Sequence, residues 1–443
     1  MTAARALSWS GIFRLGLVQL ALGAVVVLMT STLNRVMTVE LALPAIVPGA
    51  LVGFHFLVQA VRPWMGHGSD RSGRRGPWII GGMVVLATGG VAAAAATAWV
   101  ATNRAAGLTA AVLAYALIGA GVSAVGTPLL AMVAERVAPA RRAAAAAITW
   151  LMMIVGFILT TAIGGNALDP FSMRRLVEVS MWVGGIAVLL TVVALWGMER
   201  DASGQAPVAV ASPDGDFRRA LATIWRDPAA RRFSCFVFVA MLAFSAQDLI
   251  LEPFAGLVFG LTPGGSTRIS SMQNGGMLAG MLTAALVAHR FGTLRQWAVA
   301  GCVASAVAFA ALAMVPSVGS LWVFKSVVFG LGASNGVFAV GAIGSMMGVI
   351  TEAGDARTGA RMGVFGAAQG LAYGIGGFAG AWMSDLARGW FGSPSSGYAS
   401  VFAVEAMLFA LSGWLAATSA PAVRGETLRS RHGSGDALLG ALR

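Results

Sequence analysis

Long apolar runs are the feature that most constrains what this chain can fold into. Twelve stretches of about 20 mostly apolar residues follow one another, which is the length an α-helix needs to cross a bilayer. Hydrophobic residues make up 57% of the chain and charged residues 11%, a balance that excludes an ordinary soluble protein. We therefore expect an all-α membrane protein with twelve transmembrane helices, at 12–36, 42–64, 77–100, 107–134, 143–165, 179–198, 233–257, 267–289, 295–315, 318–343, 361–383 and 397–419.

The basic residues predict an orientation. The formal net charge is +12, and Lys325 is the only lysine among the 30 basic residues. Twelve crossings that start in the cytoplasm place most arginines in cytoplasmic loops, as the positive-inside rule requires. We expect a multi-pass membrane protein with both termini in the cytoplasm. This topology, together with membrane lipids, accounts for the positive charge, and no nucleic-acid partner is needed to explain it.

The polar segments divide the chain into two similar parts. We expect a six-helix half at 1–198, a cytoplasmic linker at 199–232, a second six-helix half at 233–420 and a cytoplasmic tail at 421–443. Polar and acidic residues recur near the ends of the first and seventh spans. Such parallel repeats are typical of one large class of secondary transporters.

One motif lies between the second and third spans. Residues 66–75 match the pattern G-x-x-x-D-R-x-G-R-R at every specified position. Glycines permit a tight turn, and an aspartate there can accept hydrogen bonds from a helix start and offset its dipole. This segment resembles the signature loop of the major facilitator superfamily, which implies that fold in two pseudo-symmetric halves. The predicted gating-loop residues are Gly66, Asp70, Arg71, Gly73, Arg74 and Arg75.

Three further segments carry a narrower resemblance. Residues 32–45, 65–70 and 249–260 resemble the bacteriochlorophyll delivery family of PucC/LhaA-type proteins, and the short loop after Ser72 is similar to the LhaA branch. The resemblance implies an assembly factor for light-harvesting complexes of the core (LH1) type, which binds or delivers bacteriochlorophyll. It implies antenna polypeptides as partners, with reaction-centre and pigment-synthesis proteins as further candidates.

A bacteriochlorophyll magnesium commonly takes a neutral imidazole as its axial ligand, held by a partner at the other ring nitrogen. His55 is the only one of the four histidines within a predicted span, and Gln59 follows one turn later. His55 and Gln59 are therefore pigment-binding candidates. The alternative is a histidine that hydrogen-bonds to a neighbouring helix.

Charged residues inside a membrane usually have a function. Asn34, Arg35 and Glu40 stand near the end of the first span. Arg35 and Glu40 are five residues apart and do not share a face of a straight α-helix, so we expect each to meet other helices. Contact with pigment and a structural gate across the halves both remain open.

The seventh span carries two acidic residues. Asp248 and Glu252 are four residues apart and share a helix face. Pro253 should loosen the helix directly after them. Pigment contact and proton transfer in a coupled transporter are both consistent with this pair.

Two more charges lie inside predicted spans. Lys325 and Glu405 sit at similar depth below the outer ends of the tenth and twelfth spans, at a rise of about 1.5 Å per residue. We expect an ion pair between them, or contact of Glu405 with pigment or a partner chain, because a carboxylate facing lipid would be costly.

Three functions therefore remain: a pigment-handling assembly factor, a proton-coupled transporter of a small solute, and a pigment-free scaffold for antenna helices. We expect no enzymatic activity, because the sequence contains no P-loop, dinucleotide-binding glycine motif or metal-ligand cluster.

Overall fold

The described part of the chain is helical. The computed structural model describes residues 7–72, 74–138, 141–198, 228–288, 291–351 and 358–418, and no β-strand occurs within them. The helices are α1 (Trp9–Val27), α2 (Ile46–Val58), α3 (Arg62–Ser72), α4 (Arg75–Val100), α5 (Arg104–Arg136), α6 (Arg142–Ala167), α7 (Met173–Leu195), α8 (Pro228–Phe259), α9 (Pro263–Val287), α10 (Leu294–Val318), α11 (Leu321–Thr351), α12 (Thr358–Phe391) and α13 (Pro394–Thr418). A 3₁₀ turn at Gln59–Val61 joins α2 to α3, so these two helices form one crossing. The twelve predicted crossings are confirmed.

Nine helices in the described residues are long and apolar enough to cross a membrane, judged by length and composition. Of the remaining crossings, α2 is a shorter apolar helix, and α9 and α12 carry more polar residues and glycine. The chain is a multi-pass membrane protein.

Several helices begin before the apolar run that predicts them. Serine, threonine or asparagine caps five helix starts by accepting a hydrogen bond from a backbone N–H group, as these side chains do in water-soluble proteins. The helix is therefore longer than the lipid-facing part that hydropathy detects. The caps are Ser8, Asn103, Ser172, Thr262 and Thr293.

The predicted gating loop is mostly helix, so its description as a loop is wrong. α3 runs to Ser72, and Arg74 is extended directly before α4. Polar residues end the apolar span here, but the helix continues because it depends only on its own backbone hydrogen bonds. Arg75 donates to Ser69 Oγ at 2.9 Å, and the Trp78 indole donates to Ser72 Oγ at 3.0 Å, which fixes the turn. Gly73, the surroundings of Gly66 and the side chains of Asp70 and Arg71 lie outside what the structure describes.

Two large buried apolar cores form in the described part of the chain, besides a smaller cluster of α6, α9 and α11 residues. One is built from residues between 12 and 198, joined by Leu249, and the other from residues between 236 and 416. We call α1–α7 the first half and α8–α13 the second half. Most of the predicted linker and nearly all of the predicted tail lie outside the described residues, and α8 begins at Pro228.

At one end of the bundle the two halves share hydrogen bonds and close backbone contacts, in addition to the smaller apolar cluster between α6, α9 and α11. We call this the distal end; it is opposite Trp9 and Thr418. Helix α6 packs on α9, and α2 packs on α12. A Cβ atom on Gly264 would lie 2.3 Å from the Gly165 carbonyl oxygen, so these two backbones touch. The Ala45 and Ile46 amides at the start of α2 donate to the Asp385 carboxylate of α12 at 2.9 and 2.7 Å.

Candidate functional site at the junction of the halves

The distal end of α1 presents polar side chains to the second half. The helix continues beyond Val27 in π-helical winding over Leu28–Leu33 and Val36–Glu40. Short π-helical segments are rare, and those that do occur are often found at functional sites. Five polar side chains on this part of the helix are at most 5% exposed: Ser31, Thr32, Asn34, Arg35 and Thr38.

Glu252 of α8 is enclosed by hydroxyl groups from both halves. Its side chain is 1% exposed. One carboxylate oxygen accepts hydrogen bonds from Ser31 of α1 and Ser270 of α9, and the other accepts from Thr267 at 3.4 Å. Arg35 adds a favourable electrostatic contact. Burying a carboxyl group is costly unless its oxygens are hydrogen-bonded, and the three hydroxyl groups supply those bonds.

Asn34 compensates for the proline in α8. Pro253 has no N–H group, so the Leu249 carbonyl one turn earlier loses its partner within the helix. Asn34 Nδ2 donates to that carbonyl oxygen at 2.6 Å. Helix α8 continues through Pro253 to Phe259.

Arg35 and Glu40 contact each other, contrary to the prediction. Arg35 Nη1 lies 2.5 Å from Glu40 Oε1, because π-helical winding brings residues five apart onto neighbouring positions. Arg35 Nη2 donates to the Leu261 carbonyl at 2.6 Å. A Cβ atom on Gly256 would lie 2.8 Å from Nη2, so the guanidinium packs directly against the α8 backbone at this glycine. Arg35 thus joins the halves through a hydrogen bond to a backbone carbonyl and an electrostatic contact with Glu252.

His55 is buried in the first half, with 1% exposure. Arg62 donates to Gln59 Oε1, which turns the Gln59 amide nitrogen toward His55 Nε2 at 3.1 Å. The amide therefore donates to Nε2, and the ring carries its proton on Nδ1. Nδ1 approaches the Val52 carbonyl without reaching hydrogen-bond geometry.

Asp248 faces different neighbours from Glu252. It is half-buried, and it interacts electrostatically with Tyr373 of α12 and Glu405 of α13. The Tyr373 ring packs against Phe56 of the first half at 5.6 Å and Phe244 at 6.0 Å between ring centroids. Aromatic rings thus bridge the halves next to this acid.

The predicted ion pair between Lys325 and Glu405 is not formed. Glu405 is 1% exposed, and neither carboxylate oxygen has a hydrogen-bond partner. Lys325 lines a groove beside Arg268. Similar depth does not make two helices neighbours. Helix α10 packs against α11, which carries Lys325, and against α13, which carries Glu405, so it lies between them. Glu405 also does not face lipid; it lies on the same helix face as Phe402 and Phe409.

The hydroxyl groups around Glu252 are not among the residues predicted from the sequence. Thr267 and Ser270 are three residues apart on α9, and Thr32 bonds to Thr267 at 3.1 Å. A signal was available, because polar residues spaced by three or four in a spanning helix share one face. Their partner on α8 could be identified only from the packing of α1, α8 and α9.

Comparison with known proteins identifies the family. A sequence profile described as "PUCC protein" matches residues 32–420, which includes α2–α13 and all of the polar junction except Ser31. The chain belongs to the PucC protein family.

Two curated relatives of this PucC family member come from Rhodobacter capsulatus. The "Bacteriochlorophyll synthase 44.5 kDa chain" is 47% identical, covering 95% of this chain and 97% of the relative. "Protein PucC" is 29% identical, covering 90% of each. The first name connects a close relative with bacteriochlorophyll, and it leaves open whether that relative is itself an enzyme.

Solved structures establish the fold of this PucC family member. The D-xylose-proton symporter has a TM-score of 0.69 at 14% identity, covering 94% of this chain and 98% of the symporter. The nucleoside transporter NupG has a TM-score of 0.64 at 14% identity, covering 92% and 98%. The chain therefore has the major facilitator fold that its sequence predicts.

The residues around His55 do not fit an axial ligand for a pigment magnesium in this arrangement. Its Nε2 lone pair accepts from Gln59, its Nδ1 carries the proton, and the ring is enclosed by protein. An axial ligand needs an unprotonated nitrogen with open space beyond it. No group of three histidine, cysteine or acidic residues in the described part of this PucC family member is arranged to hold a metal ion.

Proposed function

We propose that this protein assists the assembly of bacterial light-harvesting complexes of the core (LH1) type and that it holds or delivers bacteriochlorophyll within the membrane. The observation that carries the proposal is the match of residues 32–420 to the PucC family. The 47% identity to a relative named for bacteriochlorophyll supports the pigment part. Its partners are antenna polypeptides, with reaction-centre and pigment-synthesis proteins as further candidates. It acts in the photosynthetic inner membrane with both termini cytoplasmic and is not itself a synthase.

The aromatic bridge is the proposed place of pigment contact. Phe56, Tyr373 and Phe244 offer ring faces from both halves in a bilayer-buried position, which suits a large flat macrocycle. Asp248 and Glu252 stand on the adjoining part of α8. In this proposal the aromatic rings, rather than His55, contact the pigment.

A proton-coupled transporter is the second candidate. The carboxyl groups of Glu252 and Glu405, which are buried, and of Asp248, which is half-buried, favour it together with the likeness to solved transporters. A pigment-free scaffold for antenna helices is the third.

An absorption spectrum of the gently purified protein tests the proposal. The protein is isolated from a bacteriochlorophyll-making host, beside an unrelated major facilitator transporter from the same membranes. We expect near-stoichiometric pigment with a shifted near-infrared band in this protein alone. A His55→Leu variant should retain the pigment, whereas Tyr373→Ala should lose most of it.

Equal pigment in the unrelated transporter would overturn pigment handling. Pigment-free protein that still captures antenna polypeptides would support the scaffold, and solute-induced proton flux in pigment-free vesicles would support the transporter. Loss of pigment only in His55→Leu would return the ligand role to that residue.

A further inference from the structure

A basic groove lies at the distal end, between the two halves. Its volume is about 370 Å³, within the size range of small-molecule sites. The first half contributes residues of α6, and the second half contributes residues of α9 and α11. The lining residues that matter for the argument are Ala162, Asn166, Leu261, Arg268, Ser271 and Lys325.

The two cations of the groove differ in their partners. Arg268 Nη1 binds Asp169 at 2.9 Å and Asn166 at 3.0 Å. Asp169 also accepts from Thr262 at 2.9 Å, so the acidic group at the rim is already engaged. Lys325 forms no ion pair or hydrogen bond with the described residues. The groove therefore carries one uncompensated positive charge.

The level of Lys325 in the bilayer indicates what kind of anion could reach it. Trp322, one turn nearer the distal end, is 76% exposed, as expected of a tryptophan at the membrane interface. A lysine one turn deeper holds its ammonium group near the headgroups by extending its side chain along the helix. Leu261 and Ala162 supply apolar surface beside it. An amphiphile with an anionic head and apolar chains matches both features.

We infer that this groove, defined by Lys325 and Arg268, binds the phosphate headgroup of an anionic phospholipid from the distal leaflet. The phosphate is held by the free Lys325 ammonium, with the remaining donors of Arg268 beside it, and the acyl chains lie along the apolar lining. Because both halves line the groove, a bound lipid joins α6 to α9 and α11. The inference is independent of pigment handling.

Native mass spectrometry of the delipidated, detergent-purified full chain tests this inference, with phosphatidylglycerol and phosphatidylcholine as probes. A basic residue near an anionic headgroup contributes about 1 kcal/mol, which corresponds to roughly fivefold in affinity. We expect the wild type to prefer phosphatidylglycerol by roughly that factor. Lys325→Gln should lose the preference, and Lys325→Arg should keep it.

Arg174→Gln is the matched control, because Arg174 is a distal-end arginine whose side chain is 89% exposed. It should leave the preference unchanged. An unchanged preference in Lys325→Gln, or an equal loss in Arg174→Gln, would overturn the site. Competition by soluble glycerol phosphate at the same concentration would overturn the lipid assignment in favour of a free anion.

Discussion

At the scale of single residues, three acidic residues differ in how the cost of burying a carboxyl group is offset. Glu252 is held by three hydroxyl groups from α1 and α9. Glu40 keeps a third of its side chain exposed while it pairs with Arg35. Glu405 is buried with neither oxygen hydrogen-bonded. Of the three, Glu252 is the acid whose removal should weaken the contact between the halves most.

Replacing Glu252 tests this difference. Glu252→Ala leaves buried hydroxyl groups without an acceptor, and each such group costs about 1–3 kcal/mol. We expect the free energy of unfolding to fall by about 2–4 kcal/mol in total, and Glu252→Gln to lose less because the amide oxygen still accepts. Thermal unfolding in detergent measures both variants.

Glu178→Ala is the control for the Glu252 variants. Glu178 pairs with Arg174 at an exposed position, and such pairs contribute little. Equal losses for Glu252→Ala and Glu178→Ala would show that the buried hydrogen bonds add nothing to stability.

At the scale of the helix, an irregularity in α1 compensates for a missing hydrogen bond in α8. Pro253 leaves the Leu249 carbonyl without a donor, and the π-helical end of α1 places Asn34 against it. Asn34 therefore acts as a substitute for the missing backbone N–H group, which is the kind of repair that a proline in a spanning helix requires.

A double-mutant cycle measures this compensation. Asn34→Leu should cost about 1 kcal/mol in the parent protein, in line with hydrogen bonds between membrane helices. With Pro253→Ala, the alanine N–H group binds the Leu249 carbonyl, so Asn34→Leu should cost much less. Additive effects of the two substitutions would contradict the coupling. Thr38→Val, which removes a bond within α1, is the control that should stay additive.

At the scale of the whole molecule, the described hydrogen bonds between the halves lie toward the distal end. They include Asp385 at the start of α2, Arg268 with Asp169, and Ser31 with Glu252. The arrangement is one in which the distal end is closed. Close backbone contact between α6 and α9 is part of the closure, since Gly264 leaves no space for a side chain.

Gly264→Val should open the distal end. The added side chain meets the Gly165 carbonyl and Asp169, so α6 and α9 must separate. A Thr32→Cys reporter, with both native cysteines replaced, is fully buried in the closed arrangement. Its labelling by a membrane-impermeant maleimide should increase several-fold.

Gly275→Val on the same helix is the control for this labelling, because nothing lies within 4 Å of the position its Cβ would take. It should leave the labelling unchanged. Equal labelling in the two valine variants would show that contact at Gly264 does not close the distal end.

The sequence by itself determined the helical class, the twelve crossings and the family, because apolar run length and local motifs are properties of contiguous residues. It also indicated Arg35 and Glu252 as buried charges at the junction. It did not predict their partners. The pairing of Arg35 with Glu40 depends on π-helical winding, and the pairing of Glu252 with Ser31 depends on how α1, α8 and α9 meet. The ion pair predicted for Lys325 and Glu405 failed for the same reason: depth follows from position along a helix, whereas the neighbour of a side chain follows from helix packing, which only the tertiary structure decides.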